Sequence, residues 1–247
     1  MATIAIGDVH GNLAALRDLL EKLRGEAADT LVFLGDYIDR GPDSKGCIDT
    51  ILALPGSRRG DVVCLRGNHE EWLLKTRADH TRHSWLLGME AFETVRSYSA
   101  DAADALRAAA DAAGPALIFG RRALPYDVFF DHVPRAHMEF FERLQLYYRV
   151  ADGICSHAGL DPSVLRVEDQ VSHALVWGAP GFPHDYDGAE TVAYGHWNNA
   201  TLDTHGWPQP RIVGATIGVD TISHGVLTAV RLEDRRIFQS ARFATDS

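Results

Sequence analysis

The chain has 247 residues and an apolar fraction of 46%, enough for a sizeable core in an ordinary soluble globular protein. The 24 Lys and Arg stand against 34 Asp and Glu, a formal net charge of −10. That balance argues against a nucleic-acid polymer as partner, because phosphate backbones are gripped by Lys and Arg; it leaves room for a small phosphate ester in a local cationic site.

The N-terminal residues show no basic stretch leading into an apolar run, and no segment reads as a membrane span. The expectation is a cytoplasmic protein with no membrane partner. Cys47, Cys64 and Cys155 fit neither a disulfide framework nor a zinc ribbon, and Cys64 and Cys155 lie in apolar runs as small core residues do.

The first third alternates strand and helix. "TIAI" at 3–6 is β-like, and Asn12 is placed to cap a helix over "LAALRDLLEKL". "TLVFL" is β-like again; Pro42, Asp43 and Ser44 open a helix through "CIDTILAL". "DVVCL" is a third strand, with a helix starting near "EEWLLK". This order predicts a parallel sheet with covering helices. Residues 76–148 read as a helical, cap-like insertion: "DAADALRAAADAAG" stops at Gly114 and Pro115, and "PRAHMEFFERLQLYY" has apolar residues at helical spacing. That lobe serves either as scaffold or as a lid over a site. The β-rich segments "DGICSHAG", "ETVAYGHW", "RIVGATIGVD" and "GVLTAVRL" follow, with an irregular stretch over 178–188. No repeat and no polar linker divides the chain, so residues 1–247 are expected to form one domain.

Five β-like runs end in Gly or Ser followed by a metal-capable side chain. The first leads to Gly7, Asp8 and His10, and the second to Gly35, Asp36, Asp39 and Arg40. The third leads to Gly67, Asn68, His69 and Glu70; the last two lead to His157 and His196. In an open α/β sheet, ligands bind beyond the carboxyl ends of the strands. Carboxylate, imidazole and amide oxygen without thiolate suit Mn, Fe or Zn. These donors are too many for one ion, and a shared carboxylate bridging two would form a clamp for in-line displacement at phosphorus.

"GDVHGN", "GDYIDRG" and "GNHE" resemble the three signature blocks of the phosphoprotein phosphatases, within the calcineurin-like metallophosphoesterases. "SHAGLDP" and "YGHW" resemble the two later histidine blocks, and the likeness is strongest over 4–77 and 140–200, towards bacterial and phage members. The resemblance implies an α/β fold: a β-sandwich flanked by helices. It implies two divalent ions, manganese before iron or zinc, with Asp8 and His10 on the first, Asp36 bridging, and Asn68, His157 and His196 completing the second. His69 would be the general acid, oriented by Asp39. Arg40 would hold the phosphate oxygens, with Asn68 and His69 also touching substrate. A metal-bridging hydroxide would attack phosphorus directly.

The implied activity is phosphomonoester hydrolysis by a serine/threonine phosphatase, on a phosphorylated protein or a small phosphoester. A diadenosine tetraphosphate hydrolase is the alternative, and a metal-binding regulatory module without catalysis a third. One departure bears on the choice. Members of the family commonly carry a further phosphate-binding arginine soon after a tryptophan, whereas Gly178, Ala179 and Pro180 follow Trp177 here. Arg166 and Arg211 are the candidates to replace it, and aromatic loops at Trp197 and Trp207 would suit base stacking.

Overall fold

A computed structural model describes residues 2–26, 28–119, 122–151 and 153–244. Asp152, at the head of one expected strand segment, lies outside them. The chain opens with β1 (Thr3–Ile6), α1 (Leu13–Leu23), β2 (Thr30–Phe33), α2 (Ser44–Ser57), β3 (Asp61–Cys64) and α3 (Asn68–Ala78). Helices α4 (Ser84–Gly88), α5 (Phe92–Tyr98), α6 (Ala100–Ala113), α7 (Ala116–Phe119), α8 (Asp127–Phe130) and α9 (Arg135–Arg143) come next. The chain then runs through β4 (Tyr147–Val150), β5 (Gly153–Ser156), α10 (Ser172–Trp177) and β6 (Thr191–Tyr194). It closes with β7 (Thr201–Leu202), β8 (Pro208–Gln209), β9 (Arg211–Val213), β10 (Thr216–Gly218), β11 (Thr228–Arg231) and β12 (Ile237–Gln239).

The strands form two five-stranded sheets, ordered β12-β11-β1-β2-β3 and β4-β5-β6-β10-β9, and β7 pairs with β8 apart from them. The expected parallel core is present: β1, β2 and β3 run parallel, as do β5, β6 and β10. Antiparallel strands flank both cores, so the sheets are mixed. The two sheets face one another across a shared core, the β-sandwich that the resemblance implies.

Side-chain alternation explains the layering. Ala5, Val32 and Val63 of the first sheet share a core with Cys155, Ala193 and Ile217 of the second. Ile4, Ile6, Leu31 and Phe33 point the other way, onto Leu16 and Leu19 of α1 and Ile48 and Ile51 of α2. Ile154 and Val192 cover the outer side of the second sheet with Leu160 and Leu175, and Phe182 and Tyr186 of the irregular stretch pack there. Strands buried on both faces read as continuous apolar runs, which is why "TIAI" and "TLVF" show no polar alternation.

The helix starts follow their caps. Asn12 Oδ1 accepts from the N–H of Ala15 at 3.0 Å, and Asp43 Oδ1 from that of Gly46 at 2.7 Å. Helix α3 starts at Asn68, ahead of the "EEWLLK" start, with Gly67 as its N-cap. Helix α6 ends at Gly114, with φ +50, where the sequence put its stop. The helix expected through "LQLYY" instead ends at Arg143. Leu144 turns extended, and Gln145 exchanges backbone hydrogen bonds with Cys64 and Arg66, so "YYRV" becomes a strand on β5. Aromatic and β-branched residues take that role readily once a sheet edge is offered. Among the described residues, no helix is long and apolar enough to cross a membrane.

Candidate active site

The carboxyl ends of β1, β2 and β3 meet those of β5 and β6 from the opposing sheet. Backbone space is tight where they meet. A Cβ on Gly67 would lie 2.0 Å from Asp36 Oδ1, and one on Gly195 2.0 Å from Asp8 Oδ1. Each of these glycines leaves room for a carboxylate from another strand. Of the nine described non-glycine residues with positive φ, seven belong here: His10, Asp36, Asp39, Arg40, His196, Trp197 and Asn198. Strain of this kind persists where surrounding structure holds it, and its concentration here marks a functional site rather than ordinary turns.

Two histidines define the centre. His10 donates its Nδ1–H to the Ile38 carbonyl at 3.0 Å, and His157 donates its Nδ1–H to the Leu34 carbonyl at 3.0 Å. A carbonyl only accepts, so each Nε2 carries a lone pair. His10 Nε2 is buried without a hydrogen-bond partner, 3.6 Å from Asp36 Oδ2 and 4.0 Å from Asp8 Oδ2. His157 Nε2 lies 3.5 Å from Asp36 Oδ2 and 3.0 Å from Asn68 Oδ1. Lone pairs converging on lone pairs repel, and a cation between them turns the repulsion into coordination. Ligand atoms of His10, Asp36 and His69 lie within 4.8 Å of one another, as do those of Asp36, His157 and His196. Both groups could hold a divalent ion, and Asp36 is common to them. Asp8 joins through the His196 backbone N–H, 3.1 Å from its Oδ2.

Electrostatics favour the same use. Burial holds His10 and His157 below the usual imidazole range, and burial together with His157 brings His196 down to about 3. Neutral imidazoles are the form a metal takes. Burial works to raise Asp36, but the imidazoles around it, His157, His69 and His10, outweigh it and keep the carboxyl low. Burial, with Asp220 and Asp36 adding to it, pushes Asp8 up.

His69 differs from the other imidazoles. Its Nδ1 is 2.7 Å from Asp39 Oδ2, and its Nε2 is 3.8 Å from Asp36 Oδ2. Burial opposes protonation, yet Asp36 and the Asp39 hydrogen bond win and lift its pKa to about 9. A protonated ring has no lone pair for a cation, so His69 fits an acid better than a ligand, despite its place in the first group. Asp39 is itself fixed: Trp85 Nε1 donates to its Oδ2 at 3.0 Å and Thr94 Oγ1 to its Oδ1 at 2.6 Å. Arg40 is exposed at the rim, and its charge reaches inward, lowering Asp8 and Asp220 and opposing protonation of His10, His157 and His196.

Trp85, Thr94 and Asp220 carry no signal in the sequence, and Glu70 stands there only as a metal-capable side chain after the third strand. Trp85 and Thr94 come from the helical insertion, which thereby touches the cluster through Asp39. Glu70 accepts the backbone N–H of Asp36 at 3.0 Å, Tyr37 at 2.9 Å and Gly67 at 3.1 Å, pinning two ligand-bearing turns together. Burial, then Asp36, raises Glu70 to about 8. Its signal was available, since a Glu three residues after a helix N-cap is the capping-box position. Asp220 is buried, with Oδ2 accepting from the Asn198 N–H at 2.7 Å and Oδ1 unpartnered; burial first raises it to about 6.

The replacement arginines are engaged elsewhere. Arg166 pairs with Glu168 and Asp169, and Arg211 bonds His184. Trp207 is bonded to Gln239, with Arg242 over its ring. Trp197 sits against His196 at the cluster.

A family model described as calcineurin-like phosphoesterase matches residues 1–200. The serine/threonine-protein phosphatase 1 of Salmonella typhimurium is 37% identical over 103 residues, 41% of this chain and 45% of that protein. The symmetrical bis(5'-nucleosyl)-tetraphosphatase of Pseudomonas entomophila is 43% identical over 75 residues, 30% of this chain and 25% of that protein. The chain thus spans less than half the length of these curated relatives. A crystal structure provisionally described as a diadenosine tetraphosphatase superposes with a TM-score of 0.63 at 21% identity, over 98% of this chain and 94% of that one, a likeness of fold.

Proposed function

The chain belongs to the calcineurin-like phosphoesterase family, and we propose that it hydrolyses phosphomonoesters, phosphoserine and phosphothreonine in proteins and small aryl phosphates among them. The observation that carries this reading is the buried lone pairs of His10 and His157 aimed at one shared carboxylate, Asp36, beside the hydrogen-bonded pair of His69 and Asp39. Asp8, His10 and Asp36 would hold one divalent ion, and Asp36, Asn68, His157 and His196 a second. Manganese is the first choice, and iron or zinc suits the same N/O set. Such a pair, when bound, acidifies a water to a pKa of about 7 and draws charge from the phosphoryl oxygens.

The chain's own groups supply the rest. Arg40 takes the phosphate oxygens at the rim, its planar fork matched to them. Hydroxide oxygen, left when the water gives its proton to solvent, would add to phosphorus as the P–O ester bond breaks. His69 gives its Nε2 proton to the leaving oxygen, and Asp39 keeps the ring in place through Nδ1. Manganese-loaded protein should therefore turn over p-nitrophenyl phosphate and a phosphoserine peptide. His69→Asn should lower kcat by about 10²–10⁴-fold, the range of general acid catalysis, with metal content unchanged. No turnover of either ester, or no effect of the substitution, overturns the reading. Two bound ions with no turnover would instead mark a metal-binding module.

A second reading, hydrolysis of dinucleotide polyphosphates, is favoured by the exposed indole of Trp197 beside His196 and by the likeness to the Pseudomonas tetraphosphatase. Rates on diadenosine tetraphosphate and phosphopeptide, measured side by side, separate the two.

A further inference from the structure

Trp197 follows a cluster histidine directly and remains 65% exposed. Its ring centroid is 4.3 Å from that of His196, at 69°. The backbone beneath it is left-handed at three successive positions, with φ +56 at His196, +66 at Trp197 and +48 at Asn198. A bulky aromatic residue in that region is an outlier, and burial does not compensate it here, because the indole faces solvent.

Two buried side chains hold this conformation. Asp220 accepts the Asn198 N–H at 2.7 Å; the Asn199 amide donates to the Gly195 carbonyl at 2.6 Å and to the His196 carbonyl. Gly218 makes room for the clamp, since a Cβ there would stand 2.6 Å from Asn199 Cγ. On the other side, a Cβ on Gly178 would lie 3.1 Å from both Nε1 and Cζ2 of the indole. The segment after Trp177 that carries no arginine thus gives its bare backbone to Trp197. Clamp and cradle fix an indole in the open, at the rim of a centre built for phosphate.

We infer that Trp197 is a stacking wall for the planar leaving group of the substrate, so that the site takes aryl and nucleoside phosphates in preference to phosphorylated aliphatic hydroxyls. Every aryl ring or base has a π-face for an indole, whereas the serine side chain has none. This inference rests on the phosphoesterase reading above and sharpens its substrate class.

Steady-state kinetics on p-nitrophenyl phosphate, diadenosine tetraphosphate and a phosphoserine peptide test it, in wild type, Trp197→Ala and Trp197→Phe. Trp197→Ala should raise KM about tenfold on the two planar substrates, the scale of one base–aromatic stack. Its kcat and the peptide KM should hold, and Trp197→Phe should restore most of the loss. Equal loss on all three substrates, or none, overturns the stacking role. A calorimetric titration with ADP and with inorganic phosphate reads binding without turnover: the preference for ADP should vanish in Trp197→Ala. Should the wild type hydrolyse no ester, the phosphoesterase reading fails, and this titration still decides whether the wall exists.

Discussion

His69 and Asp39 face each other across 2.7 Å with both side chains buried, and the proton between them sets the working pH. Carboxylate charge raises His69 to about 9 against the pull of burial. If His69 is the acid, its protonated form is the working one, and activity should fall as pH climbs through its pKa. Asp39→Asn removes charge and leaves burial less opposed, which lowers the His69 pKa. Its pH–rate profile should lose the alkaline side first, the descending limb moving to lower pH, with kcat reduced throughout. An unmoved limb would deny Asp39 this role. The chemical identities of Asp8, His10, Asp36, Asn68, His69, His157 and His196 were legible in the sequence because each follows a strand-ending Gly or Ser closely. The partners of Asp39 were not, since Trp85 and Thr94 lie 46 and 55 positions away and no local period links them.

At the scale of elements, the helical insertion reaches into the cluster. Trp85 of α4 is fully buried, with its ring centroid 5.4 Å from that of Phe129 of α8, and its N–H donates to Asp39. Trp85→Phe keeps most of that apolar contact and deletes the donor. It should cost about 1.5–3 kcal/mol, the worth of a hydrogen bond to a charged group, seen as a lower midpoint in denaturant. If the insertion positions the acid, kcat should also fall at temperatures where the variant is fully folded. An insertion acting as scaffold alone would change the midpoint and leave kcat intact. The same region shows where periodicity misleads: the apolar spacing of "PRAHMEFFERLQLYY" is helical throughout, yet Gln145 bonds to the backbone of Cys64 and Arg66 and the tyrosines join a sheet. Tertiary pairing overrode propensity.

In the molecule as a whole, the cluster lies across the seam of the sandwich. Asp8, His10, Asp36 and Asn68 follow strands of one sheet, and His157 and His196 follow strands of the other. A cation shared between them ties the two sheets together in the folded state only. Divalent metal at about 100 times its dissociation constant should then add about 2.7 kcal/mol. For a chain of this size that is a rise of about 5–10 °C in Tm, measurable by calorimetry with manganese and reversed by chelator. A Tm indifferent to metal would break the link between the seam and the site. The sequence by itself determined the donor types, the glycines beside them and most strand and helix cores, because those follow from local sterics, caps and periodicity. Only the tertiary structure decided that the strand ends come from two opposed sheets, that Trp85 and Thr94 fix Asp39 beside His69, and that Asp220 and Asn199 hold Trp197 in the open. These are contacts between distant segments, settled by how buried faces and unpaired polar groups find partners once the chain has collapsed, and no short stretch of residues records them.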